Sequence, residues 1–138
     1  MDTETNRARG DVPTRRIVRG DVAFTVALPE KLDRDYWAKV ADRRWEPETF
    51  RLFDALLGPG RQLVDIGAWI GPTALHAAAL GTGVTAFEPD PAALAKLRAN
   101  LALNPDLAAR IDLRPVALVP ELAKGAETTA LSTEEPGN

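Results

Sequence analysis

Apolar and polar positions follow two different periods along the chain. Near the amino terminus, strand-like runs at residues 17–18 and 22–26 flank Arg19, Gly20 and Asp21, and a glycine between two such runs predicts a tight hairpin turn. From residue 33 to residue 57 the apolar positions follow a helical period, and Pro47 suits the first turn of a second helix. The expected buried faces of the two helices carry Tyr36, Trp37 and Val40, then Phe50, Phe53, Leu56 and Leu57.

The second half of the chain alternates strand-like and helical runs. Strands are predicted at residues 63–66, at residues 84–88 and within residues 111–118, where Pro115 suggests an edge strand. A helix is expected over residues 72–80, and Asp90 can cap another helix that has Pro91 in its first turn and ends at Asn104 and Pro105. Such alternation is typical of an α/β fold with a parallel sheet.

These elements divide the chain into three segments. Residues 1–16 carry charges without apolar periodicity, and we expect a disordered or loosely attached tail there. Residues 17–57 form the hairpin and a helical entry region, and residues 58–138 form a partial α/β domain of about three core strands. Beyond residue 120 only residues 128–132 resemble a strand, so we expect a truncated gene product or a fragment.

The composition excludes several classes of function. The chain has 138 residues, 45% hydrophobic and 27% charged, which is ordinary for a globular domain. Its net charge of -3 gives no broad basic field, so we expect no nucleic-acid partner. No run is long enough to span a membrane and no secretory signal is recognisable, so a cytoplasmic location is expected. Cysteine is absent and His76 is the single histidine, so no metal site is expected.

The turn between the first parallel strand and its helix carries the most informative chemistry. Gly67 and Gly71 permit a tight turn and close approach of a ligand to the backbone, at the sheet edge where α/β proteins bind ligands. Glu88 ends the next strand, 23 positions after Asp65, and a carboxylate there can accept both hydroxyls of an adenosine ribose. Together these signals predict a nucleoside-containing cofactor.

Each of these residues also has a purely structural interpretation. The glycines can serve only the turn, and Glu88 can be solvated or support the cap at Asp90. Asp65 lies in an apolar strand expected to be buried, where an unpaired carboxylate would be costly, so we expect it to have a functional partner. His76 lies in an alanine-rich helix and is expected to pack or to face solvent rather than to act in catalysis.

Three stretches together resemble the FkbM family of S-adenosylmethionine-dependent methyltransferases. They are VDIGAWIGPT at residues 64–73, AFEPDP at residues 86–91 and LRANL at residues 97–101, and WEPETF at residues 45–50 resembles the entry helix of some members. The resemblance covers about residues 36–118 and implies a Rossmann-like methyltransferase fold with a truncated sheet. It implies that S-adenosyl-L-methionine is held by Asp65, Gly67, Ala68, Trp69, Gly71, Glu88 and Pro89.

The same resemblance implies roles and a reaction. Glu88 would hold the ribose, and Ala68 and Trp69 would line the cofactor through their backbone, although Trp69 stands where a middle glycine is common. The implied reaction methylates a hydroxyl of a small metabolite or sugar, and no catalytic base is identified. Because the family's first strand lies inside a seven-stranded sheet, the strand around Val64 is expected to have an unpaired edge.

Two other functions remain open at this point. A nicotinamide-dependent oxidoreductase shares the strand-end acid, but its usual G-x-G-x-x-G fingerprint differs from the Gly67 and Gly71 spacing. A non-catalytic fragment or binding module is the other alternative, because the chain supplies only part of the expected sheet. Neither the methyl acceptor nor the oligomeric state can be inferred from the sequence.

Overall fold

The structure is a computed structural model that describes residues 11–120. Its elements in chain order are β1 (Thr14–Arg19), β2 (Val22–Ala27), α1 (Lys31–Ala41), α2 (Pro47–Leu56), β3 (Gln62–Ile66), α3 (Pro72–Ala79), β4 (Gly83–Phe87), α4 (Pro91–Ala102), α5 (Pro105–Ala108) and β5 (Ile111–Arg114). The first ten residues of the predicted tail and the strand-like residues 128–132 lie outside the described residues. Within the described part, no helix is long and apolar enough to cross a membrane.

The amino-terminal hairpin is present as predicted. β1 and β2 pair antiparallel, and Gly20 takes the positive φ of 61° that the turn requires. β1 begins at Thr14, inside the segment predicted as tail, because Thr14 pairs with Ala27 and so extends the ladder by three residues beyond Ile17. Backbone pairing with β2 therefore extends the strand over polar residues whose sequence shows no strand-like pattern of apolar positions.

The second half of the chain forms the predicted parallel sheet. β3, β4 and β5 lie in that order, with Val64 opposite Thr85 and Thr85 opposite Asp112. β5 is an edge strand within the described residues, as Pro115 indicated. The short helix α5 was not predicted. Its first residue is Pro105, which ends α4 and also supplies the fixed φ of a new first turn. The fold class is α/β.

The two faces of this sheet differ in burial. One face packs against α3 and α4 through small residues such as Ala77 and Ala86, both fully buried. On the other face Val64 and Ile66 are 59% and 66% exposed, because no described helix covers that face and β3 pairs only with β4. The expectation of a buried first strand was wrong on this face, whereas within residues 11–120 one edge of β3 has no strand beside it, as expected around Val64.

The helices α1 and α2 bury narrower faces than predicted. Trp37, Val40 and Phe50 are fully buried. Leu56 is exposed, contrary to expectation, and lies one turn after the exposed Leu52 on the outer side of α2. A surface helix buries one stripe of its circumference, and in α2 that stripe is centred on Phe50.

The hairpin, α1 and the α/β domain share one core. Ile17, Phe24 and Trp37 pack in the same buried cluster as Ile70 and Leu75, which belong to the loop after β3 and to α3. The amino-terminal elements therefore lie directly against the loop that the sequence singles out for chemistry.

Candidate functional site

The candidate site is the loop of residues 67–71, between the end of β3 and the start of α3. Gly67 and Gly71 have φ angles of 78° and 97°, as their glycine identity suggested. Trp69 also has a positive φ, 51°, which is uncommon for a bulky residue and was not anticipated. Left-handed conformations at three of five positions bend the chain sharply over the carboxyl end of β3.

The end of β4 holds this loop in place. The backbone N–H groups of Gly67 and Ala68 both donate to the carbonyl oxygen of Phe87, at 2.8 and 2.9 Å. The N–H of Trp69 donates to Oε2 of Glu88 at 2.8 Å, and the N–H of Asp90 donates to Oε1 of the same carboxylate at 2.8 Å. Glu88 therefore ties the 67–71 loop to the turn that starts α4.

Glu88 keeps hydrogen-bonding capacity beyond these two contacts. The side chain is only 6% exposed, so its orientation is fixed before any ligand arrives. An ionised carboxylate can accept about four hydrogen bonds, and two are in use. The structural interpretation, in which Glu88 supports the cap at Asp90, is thus correct but leaves room for a ligand. Asp90 itself caps α4 as predicted, accepting from Ala93 N–H at 2.8 Å.

The two predicted glycines meet different surroundings. A Cβ placed on Gly67 would have no atom within 4 Å, so this residue faces open space. A Cβ on Gly71 would lie 2.6 Å from Cδ1 of Leu97, so this residue allows the loop to pack closely on α4. Gly67 is therefore the position where a ligand can approach the backbone, and Gly71 is a packing position.

Asp65 has a hydrogen-bond partner within the protein, whereas a functional partner for it stays a prediction. Its Oδ2 accepts from Oγ1 of Thr73, in the first turn of α3, at 2.6 Å. Burial raises the pKa of Asp65, the hydrogen bond from Thr73 lowers it, and the charge of Glu88 raises it further. Asp65 in β3 and Glu88 directly after β4 are thus two carboxyl groups close enough to interact electrostatically.

The loop offers few free donors to an anion. The N–H groups of Gly67, Ala68, Trp69 and Gly71 all donate to other groups of the protein. Pro72 is the first residue of α3 and has no N–H, which removes one of the donors that a helix terminus usually presents. With two carboxyl groups beside it, the site suits a neutral or positively charged ligand better than a diphosphate.

The remaining predicted residues lie at the open side of the loop. Trp69 is 43% exposed and packs edge-to-face on Tyr36 of α1, with ring centroids 4.6 Å apart. Within the described residues the Tyr36 hydroxyl is buried without a partner, and burial raises the pKa of Tyr36 so far that the group stays protonated. Pro89 is exposed and follows Glu88 directly. Trp69 thus joins α1 to the site through its side chain.

His76 belongs to a different cluster. It is fully buried in α3, its Nε2 lies 2.7 Å from Oδ1 of Asp54 in α2, and its ring packs on Phe50. Burial lowers the pKa of His76, and Asp54 partly opposes that shift. His76 therefore packs α2 against α3, and packing was one of the two roles expected for it.

Sequence reasoning missed two residues that support the loop. Thr73 is the hydrogen-bond partner of Asp65, and its position in the first turn of the following helix was a usable signal. Asn100 in α4 donates from Nδ2 to the carbonyl oxygen of Ile70 at 2.9 Å. Its only sequence signal was a second asparagine four positions later, at the spacing that places both on one helix face.

A cavity of about 700 Å³ lies behind the loop, between the hairpin, α1 and α4. Trp37, Ile70 and Asn100 contribute to its wall. None of the seven predicted cofactor residues lines it, although all seven lie within the described part of the chain. The predicted site lies instead at the carboxyl ends of β3 and β4, where Gly67 faces open space.

Comparison with known proteins gives partial likenesses. No protein-family model matches the chain, and no curated protein matches it. Among solved structures, a provisionally assigned rRNA methylase from Clostridium thermocellum matches 51% of this chain and 39% of its own, at 21% identity and a TM-score of 0.45. A provisionally assigned transferase from Pyrococcus horikoshii matches 78% of this chain and 38% of its own, at 18% identity and a TM-score of 0.48.

A third solved structure is a SAM-dependent methyltransferase from Agrobacterium tumefaciens. It matches 79% of this chain and 33% of its own, at 19% identity and a TM-score of 0.44. The chain therefore spans 39%, 38% and 33% of the lengths of these three proteins, which is less than half of each.

Proposed function

We propose that the chain carries the cofactor-binding part of an S-adenosylmethionine-dependent methyltransferase. The observation that supports this most is the position of Glu88, whose carboxylate is fixed by the N–H groups of Trp69 and Asp90 beside the open face of Gly67. A fixed carboxylate at the end of the second parallel strand is suited to a ribose with two free hydroxyls. The proposal therefore places the ribose on Glu88 and the rest of the cofactor across Gly67.

The other predicted residues fit the same ligand. Asp65 supplies a second carboxyl group near Glu88, where a positively charged sulfonium or ammonium would be stabilised. Ala68, Trp69 and Pro89 complete the proposed contact set. Gly71 contributes indirectly, because it lets the loop pack on Leu97.

The same features argue against a nicotinamide dinucleotide. A dinucleotide site presents free N–H groups at the glycine loop and helix terminus to a pyrophosphate. Here the N–H groups of Gly67, Ala68 and Trp69 donate within the protein, and Pro72 has none to give. The two nearby carboxyl groups would also repel a diphosphate.

Bound S-adenosylmethionine supplies an electrophilic methyl group on sulfur. The acceptor that we propose is a hydroxyl oxygen of a small metabolite or sugar, which the resemblance to the FkbM family favours. The protein's part is to orient cofactor and acceptor in line and to provide a base for the hydroxyl proton. We assign that base to no residue of the described part.

A non-catalytic binding module is the second candidate function. Two observations favour it: Val64 and Ile66 are exposed, and in the part of the chain that the structure describes β3 pairs on one side only. Incubation of the chain with tritiated S-adenosylmethionine and a set of small hydroxyl acceptors separates the two functions. Transfer of label to an acceptor supports the enzyme, whereas cofactor binding without any transfer supports the module.

The ribose contact is tested best from the ligand side, which leaves the loop intact. Calorimetry compares the binding of S-adenosylhomocysteine and its 2′-deoxy analogue to the native chain and to Glu88→Gln. Loss of a hydrogen bond to a charged group costs about 1.5–3 kcal/mol, so the deoxy analogue should bind the native chain roughly 10- to 150-fold more weakly. Glu88→Gln should discriminate less, by only about 2- to 13-fold, because a hydrogen bond to a neutral amide contributes about 0.5–1.5 kcal/mol.

Glu48 provides the control for this experiment. It is an exposed glutamate in α2, so Glu48→Gln should retain the full discrimination against the deoxy analogue. A thermal melt of each variant shows whether the chain is folded. Equal discrimination in Glu88→Gln and in the native chain would contradict the assignment of Glu88 to the ribose.

A further inference from the structure

Two asparagines, Asn100 in α4 and Asn104 between α4 and α5, complete the outer edge of the hairpin. Asn104 Oδ1 accepts from the N–H of Thr25 at 2.8 Å, and Asn104 Nδ2 donates to the carbonyl oxygen of Thr25 at 2.6 Å. Asn100 Oδ1 accepts from the N–H of Ala27 at 2.8 Å. Four residues of helix rise about 6 Å and two residues of strand about 6.6 Å, so the two spacings match. One side chain of α4 and one just after its end thus substitute for a third strand beside β2.

Asn100 makes one further contact that Asn104 does not make. Its Nδ2 donates to the carbonyl oxygen of Ile70 at 2.9 Å, and the side chain is only 2% exposed. Ile70 lies between Trp69 and Gly71, whose φ angles are both positive. The hydrogen bond from Asn100 therefore fixes the carbonyl group of a residue that lies between two residues in left-handed conformations. Such a backbone segment has few other conformations of similar energy.

The contacts around Asn100 join three parts of the molecule through one buried amide. β2 is bound at Oδ1, the 67–71 loop is bound at Nδ2, and α4 carries the residue. Asn100→Ala shortens the side chain to a methyl group and so leaves both the Ala27 N–H and the Ile70 carbonyl oxygen without their partner. Unsatisfied buried backbone groups are costly, so the loop and β2 would both shift to find new partners.

We propose that Asn100 is a positioning residue of the cofactor site, and that through it the amino-terminal hairpin fixes the loop on which the cofactor lies. This inference rests on the function proposed above for the 67–71 loop. Asn100 does not touch the ligand. It acts through its hydrogen bond to Ile70. The hairpin, which is bonded to the same side chain, therefore helps to position the cofactor loop.

Asn104 is a matched control, because it contacts the same strand from a position just after the end of α4. Asn100→Ala and Asn104→Ala each remove an amide bonded to β2, so both should lower the melting temperature. Only Asn100→Ala removes the contact with the loop. Its dissociation constant for S-adenosylhomocysteine should rise by about 10- to 100-fold, whereas that of Asn104→Ala should stay within about twofold of the native value.

Amide hydrogen exchange of the native chain provides a second test that needs no variant. S-adenosylhomocysteine should slow the exchange of the Ala27 amide, which is bonded to Asn100, more than that of the Thr25 amide, which is bonded to Asn104. This measurement decides the question if Asn100→Ala does not fold. No slowing at Ala27 when the ligand is bound would overturn the proposal.

The outcomes separate the two proposals. If the native chain binds S-adenosylhomocysteine and Asn100→Ala binds it as tightly, the positioning role of Asn100 is overturned and the cofactor function stands. Equal weakening by Asn100→Ala and Asn104→Ala would show that the hairpin acts only through general stability, which also overturns it. A folded native chain that binds no S-adenosylhomocysteine overturns the cofactor function, and the role of Asn100 with it.

Discussion

The two glycines of the 67–71 loop should respond to the same substitution in opposite ways. Gly71→Ala places a methyl group 2.6 Å from Cδ1 of Leu97, a side chain that is itself fully buried. Gly67→Ala places a methyl group in open space, with nothing within 4 Å. The first change should therefore affect stability, and the second should affect ligand binding.

The magnitudes follow from the local geometry. At Gly71, a left-handed alanine costs about 1–2 kcal/mol and overpacking against Leu97 about 1–3 kcal/mol. The lower conformational entropy of the unfolded chain offsets about 0.4–1 kcal/mol, so the free energy of unfolding should fall by roughly 1–4.5 kcal/mol, with a midpoint near 3 kcal/mol. Gly67→Ala incurs only the backbone cost and should lose about 1 kcal/mol.

Gly20→Ala is the control for the backbone cost, since Gly20 has a φ of 61°, has no atom within 4 Å of an added Cβ and lies in the hairpin turn. Urea unfolding followed by circular dichroism gives the free energies, and calorimetry gives the affinity for S-adenosylhomocysteine. Gly67→Ala should match Gly20→Ala in stability but bind at least about tenfold more weakly. The reasoning fails if Gly71→Ala is no less stable than Gly20→Ala, or if Gly67→Ala binds like the native chain.

Three further outcomes are expected. Asp65→Asn should have a free energy of unfolding no lower than that of the native chain at pH 7. Burial raises the pKa of Asp65, so keeping this carboxyl group ionised at pH 7 costs stability in the native chain. Titration with the cofactor should nevertheless show weaker binding by the variant. Burial lowers the pKa of His76 below the ordinary value of about 6.5, so the unfolded chain takes up the proton first and stability should fall as pH drops below about 6.5. Urea unfolding of His76→Gln across this range should show a shallower fall. Ile66→Thr should change the unfolding free energy by less than about 0.5 kcal/mol, because Ile66 is 66% exposed; a larger loss would show that its face of the sheet is covered.

Local chemistry in the sequence predicted those parts of the fold that depend on a few neighbouring residues. Asp90 and Pro91 start α4 as expected, because a cap needs only a side chain and the N–H groups three positions away. Gly20 and Gly71 have the positive φ angles that their turns require. The order of strands and helices in the second half of the chain was predictable because it also follows from local patterns of apolar residues, glycines and prolines.

Contacts between residues distant in sequence were not predictable in this way. Asn100 bonds to Ala27, 73 positions away, and to Ile70, 30 positions away, and no local pattern indicates either partner. The exposure of Val64 also depends on what covers the sheet rather than on the strand itself. The candidate site residues could therefore be predicted from a motif, whereas the contacts that hold the loop became apparent only in the structure.

The most direct test of the central claim is a titration of the ¹⁵N-labelled chain with S-adenosylhomocysteine, followed by the chemical shifts of its backbone amides. The account predicts saturable shifts that are largest at Ala68, Trp69 and Glu88, and no comparable response to NADH. Largest shifts in the wall of the cavity behind the loop, at Ala95 and Leu103, or no shifts in a folded chain, would contradict a cofactor site on the 67–71 loop.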